Sequence, residues 1–239
     1  MKYDVQLCEV LCRAQTAENT FDYTVLAPKL AEVAQPGQFA HIYVPGKTLR
    51  RPISICDIDK KNGTLRFVFQ IRGAGTEQLS KFEVGDKMDI LAPLGHGFTF
   101  DPNAHNLFIG GGIGVPPMLE LAKELDCEKT IVLGYRDELF LNKEFEQYGK
   151  VVIATEDGSC GTKGNVLDAI RAEGVDGQVI YSCGPTPMLR ALKQYAADNG
   201  IEAWISLEEK MACGIGACLA CVCKSKDVDH HTNVHNKRI

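Results

Sequence analysis

Four of the chain's ten cysteines fall within the eleven residues from Cys213 to Cys223, which read C-G-I-G-A-C-L-A-C-V-C. The spacing Cys213-x4-Cys218-x2-Cys221 is that of plant-type 2Fe-2S ferredoxins, whose cluster takes one more cysteine from elsewhere. Gly214, Gly216, Ala217 and Ala220 let backbone curl around a compact inorganic core and turn its N–H groups toward sulfur. A tetrahedral zinc site is the rival, made of four thiolates or of three with His230 or His231. Structural zinc, however, usually takes two short-spaced pairs well separated in sequence, so the spacing favours iron and sulfur. Disulfide staples fit poorly. They belong to small exported domains, whereas 239 residues at 45% hydrophobic composition can bury a core unaided.

The fourth cluster ligand has two candidates. Cys223 lies two residues after Cys221, and in extended backbone such α-carbons stand roughly 6.5 to 7 Å apart. Two thiolates on one metal must bring their sulfurs within about 4 Å, so Cys223 serves only if the chain turns tightly there. The other candidate is a residue beyond Ile239, carried by a longer natural form.

A second chemistry is written into Leu49-Arg50-Arg51-Pro52-Ile53-Ser54-Ile55. Arg51 can hold a pyrophosphate bidentately, and Ser54 can hydrogen-bond a flavin ring system. Alone, the segment reads as two surface arginines at a strand start. Further on, Gly73-Ala74-Gly75-Thr76 precedes helix-like residues, so Thr76 is expected to N-cap a helix whose N–H groups face a phosphate. Together the two motifs form a double clamp on one dinucleotide.

A third constellation suits a nicotinamide nucleotide. Gly110, Gly111, Gly112 and Gly114 precede Pro116-Pro117, a glycine-rich strand-to-helix turn that lets backbone approach a pyrophosphate. Cys183-Gly184-Pro185 ends a later strand, and ligands of open α/β sheets collect at such carboxyl ends. A small, polarizable Cys183 suits the nicotinamide ring, its plain alternative being a buried thiol at a tight turn. Arg136-Asp137-Glu138 offers carboxylates to a ribose and an arginine to a 2′-phosphate, with NAD preferred over NADP.

These groups need a scaffold, and the chain supplies two textures. Up to about residue 100, β-rich runs alternate with turn signals such as Pro36-Gly37, Asn62-Gly63 and Gly85-Asp86, predicting an antiparallel barrel. Six strands are expected, over Val5 to Cys12, Phe21 to Leu26, Gln38 to Val44, Pro52 to Asp57, Thr64 to Ile71 and Lys87 to Leu91. From Asn106, apolar strands separated by helical patterns predict a parallel sheet with crossover helices. Its helices are placed at Pro116 to Leu125, Asn165 to Ala172 and Pro187 to Asn199. The domains are thus 1–100, 101–206 and a cysteine segment 207–239, too short for a core of its own. Cys8, Cys12, Cys56 and Cys127 are read as small buried residues.

A net charge of −5 argues against nucleic-acid or membrane-surface binding. With no apolar run of signal or spanning length and ten cysteines, a cytoplasmic location is expected.

In this order, the motifs resemble the ferredoxin-NAD(P)H reductase superfamily, a flavin barrel followed by a nicotinamide-binding α/β domain. The segment E-E-K-M-A-C-G-I-G-A-C-L-A-C-V-C after C-G-P-T-P-M-L resembles the electron-transfer subunits of the NAD-linked, type B dihydroorotate dehydrogenases. The resemblance implies FAD at Arg51, Pro52, Ile53 and Ser54, at Val68, Phe69 and Gln70, and at Gly75 and Thr76. It implies a 2Fe-2S cluster on Cys213, Cys218 and Cys221, and NAD at the glycine-rich turn. It further implies a partner, the FMN-containing catalytic subunit, in a heterotetramer with two of each. Aliphatic Ile53 stands where the wider superfamily often carries an aromatic. A reductase serving an oxygenase, hydrogenase or ferredoxin, with the same cofactors, is the alternative within this fold; a zinc-stabilised interaction module is the alternative outside it.

Overall fold

The computed structural model describes residues 3–229 and 234–238. Its first half is built of β1 (Asp4–Ala17), β2 (Thr20–Leu26), α1 (Pro28–Val33), β3 (Phe39–Ile42), β4 (Arg51–Asp59), β5 (Thr64–Gln70), α2 (Ala74–Leu79) and β6 (Lys87–Leu94). The strands close into an antiparallel barrel in the order β1-β2-β5-β4-β3-β6. Side chains alternate across a strand, and β5 shows what that accomplishes. Leu65, Phe67 and Phe69 enter the barrel core. Arg66 and Val68, between them, face the second domain. Fully burying a side chain such as Phe67 contributes about 1.5 to 3 kcal/mol. Asn62-Gly63 forms the β4–β5 turn, with Gly63 at φ +67°, a conformation glycine adopts freely.

The second half contains β7 (Asn106–Gly111), α3 (Pro116–Glu124), β8 (Lys129–Tyr135), α4 (Asn142–Phe145), β9 (Lys150–Thr155), β10 (Thr162–Lys163), α5 (Val166–Ala172), β11 (Val179–Cys183), α6 (Thr186–Asn199) and β12 (Glu202–Ser206). Its strands form one sheet in the order β10-β9-β8-β7-β11-β12, parallel throughout. The order reverses between β7 and β11, the topological switch point where open α/β sheets bind ligands. Asn165 is the N-cap of α5, its side chain accepting from Leu167 and Asp168 N–H groups.

Polar staples join the halves. Arg66 Nη2 and Nη1 reach Asp22 and Glu144, each at 2.6 Å. Lys123 on α3 donates to Asp57 at 2.9 Å and to the Ile58 carbonyl at 2.8 Å. Beside it, Glu120 accepts the Ile58 N–H at 2.9 Å.

Several expectations need correction. Helices α1 and α4 and the two-residue β10 are additional. The C-terminal segment adds a hairpin of β13 (Val222–Asp229) and β14 (Val234–Arg238). Cys8 and Cys56 are buried as read, but Cys12 is exposed and Cys127 half-buried. A register irregularity between Val10 and Cys12 breaks the in-out alternation of β1 and turns Cys12 outward. His230 and His231 lie outside the described residues.

Candidate cofactor sites

Arg51, at the start of β4, and the turn into α2 come together. A Cβ built on Gly75 would fall 2.1 Å from Arg51 Nε, so the guanidinium lies directly on the glycine. They share a cleft of about 280 Å³ lined by Lys47, Arg51, Arg72, Gly73, Ala74, Gly75 and Thr76. Three cations and no carboxylate line it, a donor set that fits a pyrophosphate. Thr76 is not the N-cap of α2. That position is Gly73, and the Thr76 hydroxyl accepts from Arg72 N–H at 2.8 Å while donating to the Gly73 carbonyl at 3.1 Å. The hydroxyl thus braces the turn.

The other flavin-implied residues divide by side. Ile53 and Phe69 point into the barrel core, where Phe69 stacks on Phe21 and Tyr23, so only their backbone is available to a ligand. Val68 packs in the core that spans β5 and α3. Pro52 is exposed and Ser54 half-buried on β4. Gln70 donates to Thr20 Oγ1 at 3.3 Å.

At the switch point two turns meet backbone to backbone. Gly112–Gly114 forms a short 3-10 turn after β7. A Cβ on Gly114 would lie 2.3 Å from the Cys183 carbonyl oxygen, and one on Gly111 would lie 2.4 Å from Met188 Sδ. Gly112 faces open space. Gly110 pairs with Cys183 across the β7–β11 ladder, bringing the two predicted nicotinamide motifs side by side. Such bare backbone beside the carboxyl ends of parallel strands suits a dinucleotide. Gly184 is buried, and Pro185 is the N-cap of α6. The Cys183 thiol is 3% exposed. Burial, reinforced by Glu208 and opposed by a hydrogen bond with Ser206, pushes its pKa up to about 12, so it stays protonated. Of the Arg136-Asp137-Glu138 trio, Glu138 is engaged elsewhere, accepting the Glu18 N–H from the barrel at 2.9 Å.

The cysteine loop fits thiolate chemistry. Gly214 and Gly216 adopt φ +71° and +76°, turning backbone N–H groups inward. Partial burial raises the Cys213 pKa, but N–H groups of Cys218, Ile215 and Ala217 outweigh it and lower the thiol to about 7. The Cys218 N–H stands 3.4 Å from Cys213 Sγ. Cys221 is buried and Cys218 exposed. Among the described residues no three His, Cys, Asp or Glu side chains converge as a metal site, so Cys213, Cys218 and Cys221 share a loop without meeting at one point. Cys223 sits in extended β13 opposite Lys237, so its segment does not make the tight turn that sharing an iron with Cys221 requires.

Three residues at these sites escaped the sequence reading. Lys47 and Arg72 flank the clamp motifs, and basic residues so near a phosphate motif were an available signal. The third is His41. It lies on β3 under the cysteine loop, where a Cβ on Gly214 would fall 2.8 Å from its Nδ1. Burial first, then the charges of Arg50 and Arg51, lower its pKa to about 4, so the ring is neutral.

Residues 208–239 match the iron-sulfur cluster binding domain of dihydroorotate dehydrogenase B. A protein of Geobacillus thermodenitrificans, the dihydroorotate dehydrogenase B (NAD(+)) electron transfer subunit, is 43% identical over 90% of this chain and 87% of its own. Its counterpart in Fusobacterium nucleatum is 39% identical over 96% of this chain and 93% of its own. Among solved structures, the NADH-dependent reduced ferredoxin-NADP oxidoreductase aligns with a TM-score of 0.87 at 30% identity, covering 98% of this chain and 88% of that one. The ferredoxin reductase of carbazole 1,9a-dioxygenase, at 18% identity and TM-score 0.71 over 86% of this chain and 69% of its own, shares the fold. Identity of this degree along nearly the whole chain, with the cluster-binding domain at its end, shows that the chain belongs to the family of electron transfer subunits of NAD(+)-linked dihydroorotate dehydrogenase B.

Proposed function

We propose that the chain passes electrons from the FMN of a dihydroorotate dehydrogenase catalytic subunit to NAD+ in pyrimidine biosynthesis. The observation that carries the reading is one chain with three sites. They are a cationic cleft on a flavin-type barrel, bare backbone at a parallel-sheet switch point, and a cysteine loop with ferredoxin spacing. When bound, a 2Fe-2S cluster carries electrons singly, and FAD pairs them for hydride transfer with a nicotinamide.

This chain's residues bind and align. Arg51, with Lys47 and Arg72, would neutralise the FAD pyrophosphate, and the Thr76 hydroxyl fixes the turn that brings Gly75 against it. Ser54 would hydrogen-bond the ring system. Gly110, Gly111, Gly112 and Gly114 leave backbone bare for the NAD phosphates, and Cys183-Gly184-Pro185 shapes the nicotinamide side. The Cys183 thiol keeps its proton, so it orients and does not act as a base. Cys213, Cys218 and Cys221 would hold the cluster. The three parts correspond to residues 1–100, 101–206 and 207–239, and a reducing, cytoplasmic setting suits ten cysteines of which none is in a disulfide.

Mixing the anaerobically prepared chain with the FMN-bearing catalytic subunit tests the reading. Dihydroorotate-dependent reduction of NAD+ is expected, and NADH oxidation with dyes but no such coupling would overturn it.

A further inference from the structure

His41 occupies the seam between the flavin-type barrel and the cysteine loop. On β3 it pairs with Pro52 of the Arg51–Ser54 motif and with Leu91 of β6. Its neighbours Ala40 and Ile42 enter the barrel core, so the His41 ring stands on the barrel's outer face. Such a position would ordinarily be wet. Here the ring is 0% exposed, and neither Nδ1 nor Nε2 has a hydrogen-bond partner.

Gly214, the residue after Cys213, forms the cover. A Cβ built on it would lie 2.8, 2.9 and 3.1 Å from Nδ1, Cε1 and Cγ of the ring. Near-equal distances to three adjacent ring atoms place Gly214 over the face of the imidazole, out of the ring plane in which an N–H donates. The Phe39 ring closes another side, 5.9 Å away at an interplanar angle of 67°. An orphaned, buried N–H is costly, and native proteins rarely tolerate one. A phenylalanine or leucine would cover the same seam without that cost. An imidazole belongs there if an acceptor reaches it once the adjoining loop holds its cofactor.

We propose that His41 is a positioning residue for the cluster, its ring N–H donating to a sulfur of the cluster or of a ligand cysteine and stabilising the reduced form. This rests on the assignment of the cluster to Cys213, Cys218 and Cys221. Hydrogen bonds to the sulfurs are among the features that set the potential of an iron-sulfur centre. Reduction adds negative charge to those sulfurs, so a donor favours the reduced state and its loss lowers the potential.

The test is an EPR-monitored redox titration of the anaerobic complex with its catalytic subunit, comparing the native chain with H41F and H41Q. Phenylalanine keeps the flat platform under Gly214 and removes the donor; glutamine keeps an N–H. We expect H41F to retain iron and flavin but to lower the cluster potential, a tenfold shift in the reduction equilibrium corresponding to about 59 mV for one electron. H41Q should stay nearer to native, and the flavin potential should not move in either. Unchanged cluster potential in H41F, equal shifts in both variants, or a shift confined to the flavin would each overturn the proposal. If H41F fails to assemble, pulsed EPR on the reduced native complex carrying 15N-histidine decides. A weak 15N coupling that is lost in H41Q supports the donor, and its absence overturns it. A preparation without iron would instead count against the cluster assignment itself.

Discussion

Replacing Gly114 by alanine puts a methyl group into a seam that has no room for it. The added Cβ would sit 2.3 Å from the Cys183 oxygen, 2.4 Å from its carbonyl carbon and 2.5 Å from Gly184 N. Ordinary contact distances are about 3.5 Å, so the overlap is roughly 1 Å. All three obstructing atoms are backbone. They cannot swing aside, because Cys183 is held in the sheet by pairing with Gly110 and Ser206. The two turns must therefore part by about the overlap, at an overpacking cost of about 1 to 3 kcal/mol. For a chain of this size that lowers Tm by about 2 to 12 °C. A displacement of about 1 Å at a site that aligns reactants reduces rate by as much as about 100-fold. The assay is NADH oxidation with an artificial dye, alongside Tm and counts of flavin and iron. We expect flavin and iron to persist while NADH turnover falls or its KM rises at least about tenfold. Gly112→Ala should be milder: its Cβ meets nothing within 4 Å, although φ is +51°, a backbone strain of about 1 to 2 kcal/mol. Native NADH kinetics and Tm in Gly114→Ala would refute the role given to the paired turns.

Arg51→Ala removes a charge-assisted contact worth about 1.5 to 3 kcal/mol, and should weaken FAD retention by about 10- to 150-fold in equilibrium dialysis; unchanged affinity would move the flavin elsewhere. Cys218→Ser should abolish the cluster signal while leaving NADH-to-dye activity, and loss of both would make the loop structural for the barrel. Glu120, 1% exposed, has its pKa raised to about 7 by burial, against the lowering effects of the Ile58 N–H and Lys123. A folded pKa above the unfolded value means this contribution is fully present below about pH 4.5 and is lost as pH rises through about 7. The loss approaches about 3 kcal/mol. Glu120→Gln should flatten that decline in denaturant melts between pH 5 and 8, and an unchanged pH slope would contradict the burial argument.

The barrel was legible because its strands alternate and its turns carry Pro-Gly and Asn-Gly. The sheet was legible because its strands are continuous apolar runs divided by helical periods. Short pieces carried too little pattern. Four residues at Asn142–Phe145 and two at Thr162–Lys163 hold shape through tertiary contact, below the length at which periodicity speaks. Apolar surroundings had Cys12 read as buried, and a register irregularity that no residue type announced put it outside. Arg51 and the G-A-G-T turn were read as two clamps, and their packing came from the fold alone. His41 was hidden for a different reason. In Phe39-Ala40-His41-Ile42 it reads as an outward, solvated residue, and its cover includes a glycine from the distant cysteine loop.

The central claim is that one chain holds a single-electron centre and a paired-electron centre. An anaerobic preparation of the chain with its catalytic subunit, examined by visible and EPR spectroscopy with metal, sulfide and flavin counts, tests it most directly. The account predicts about two irons, two labile sulfides and one FAD per chain, with a reduced 2Fe-2S signal dependent on Cys213, Cys218 and Cys221. Zinc without iron, in a protein lacking flavin absorbance, would contradict it.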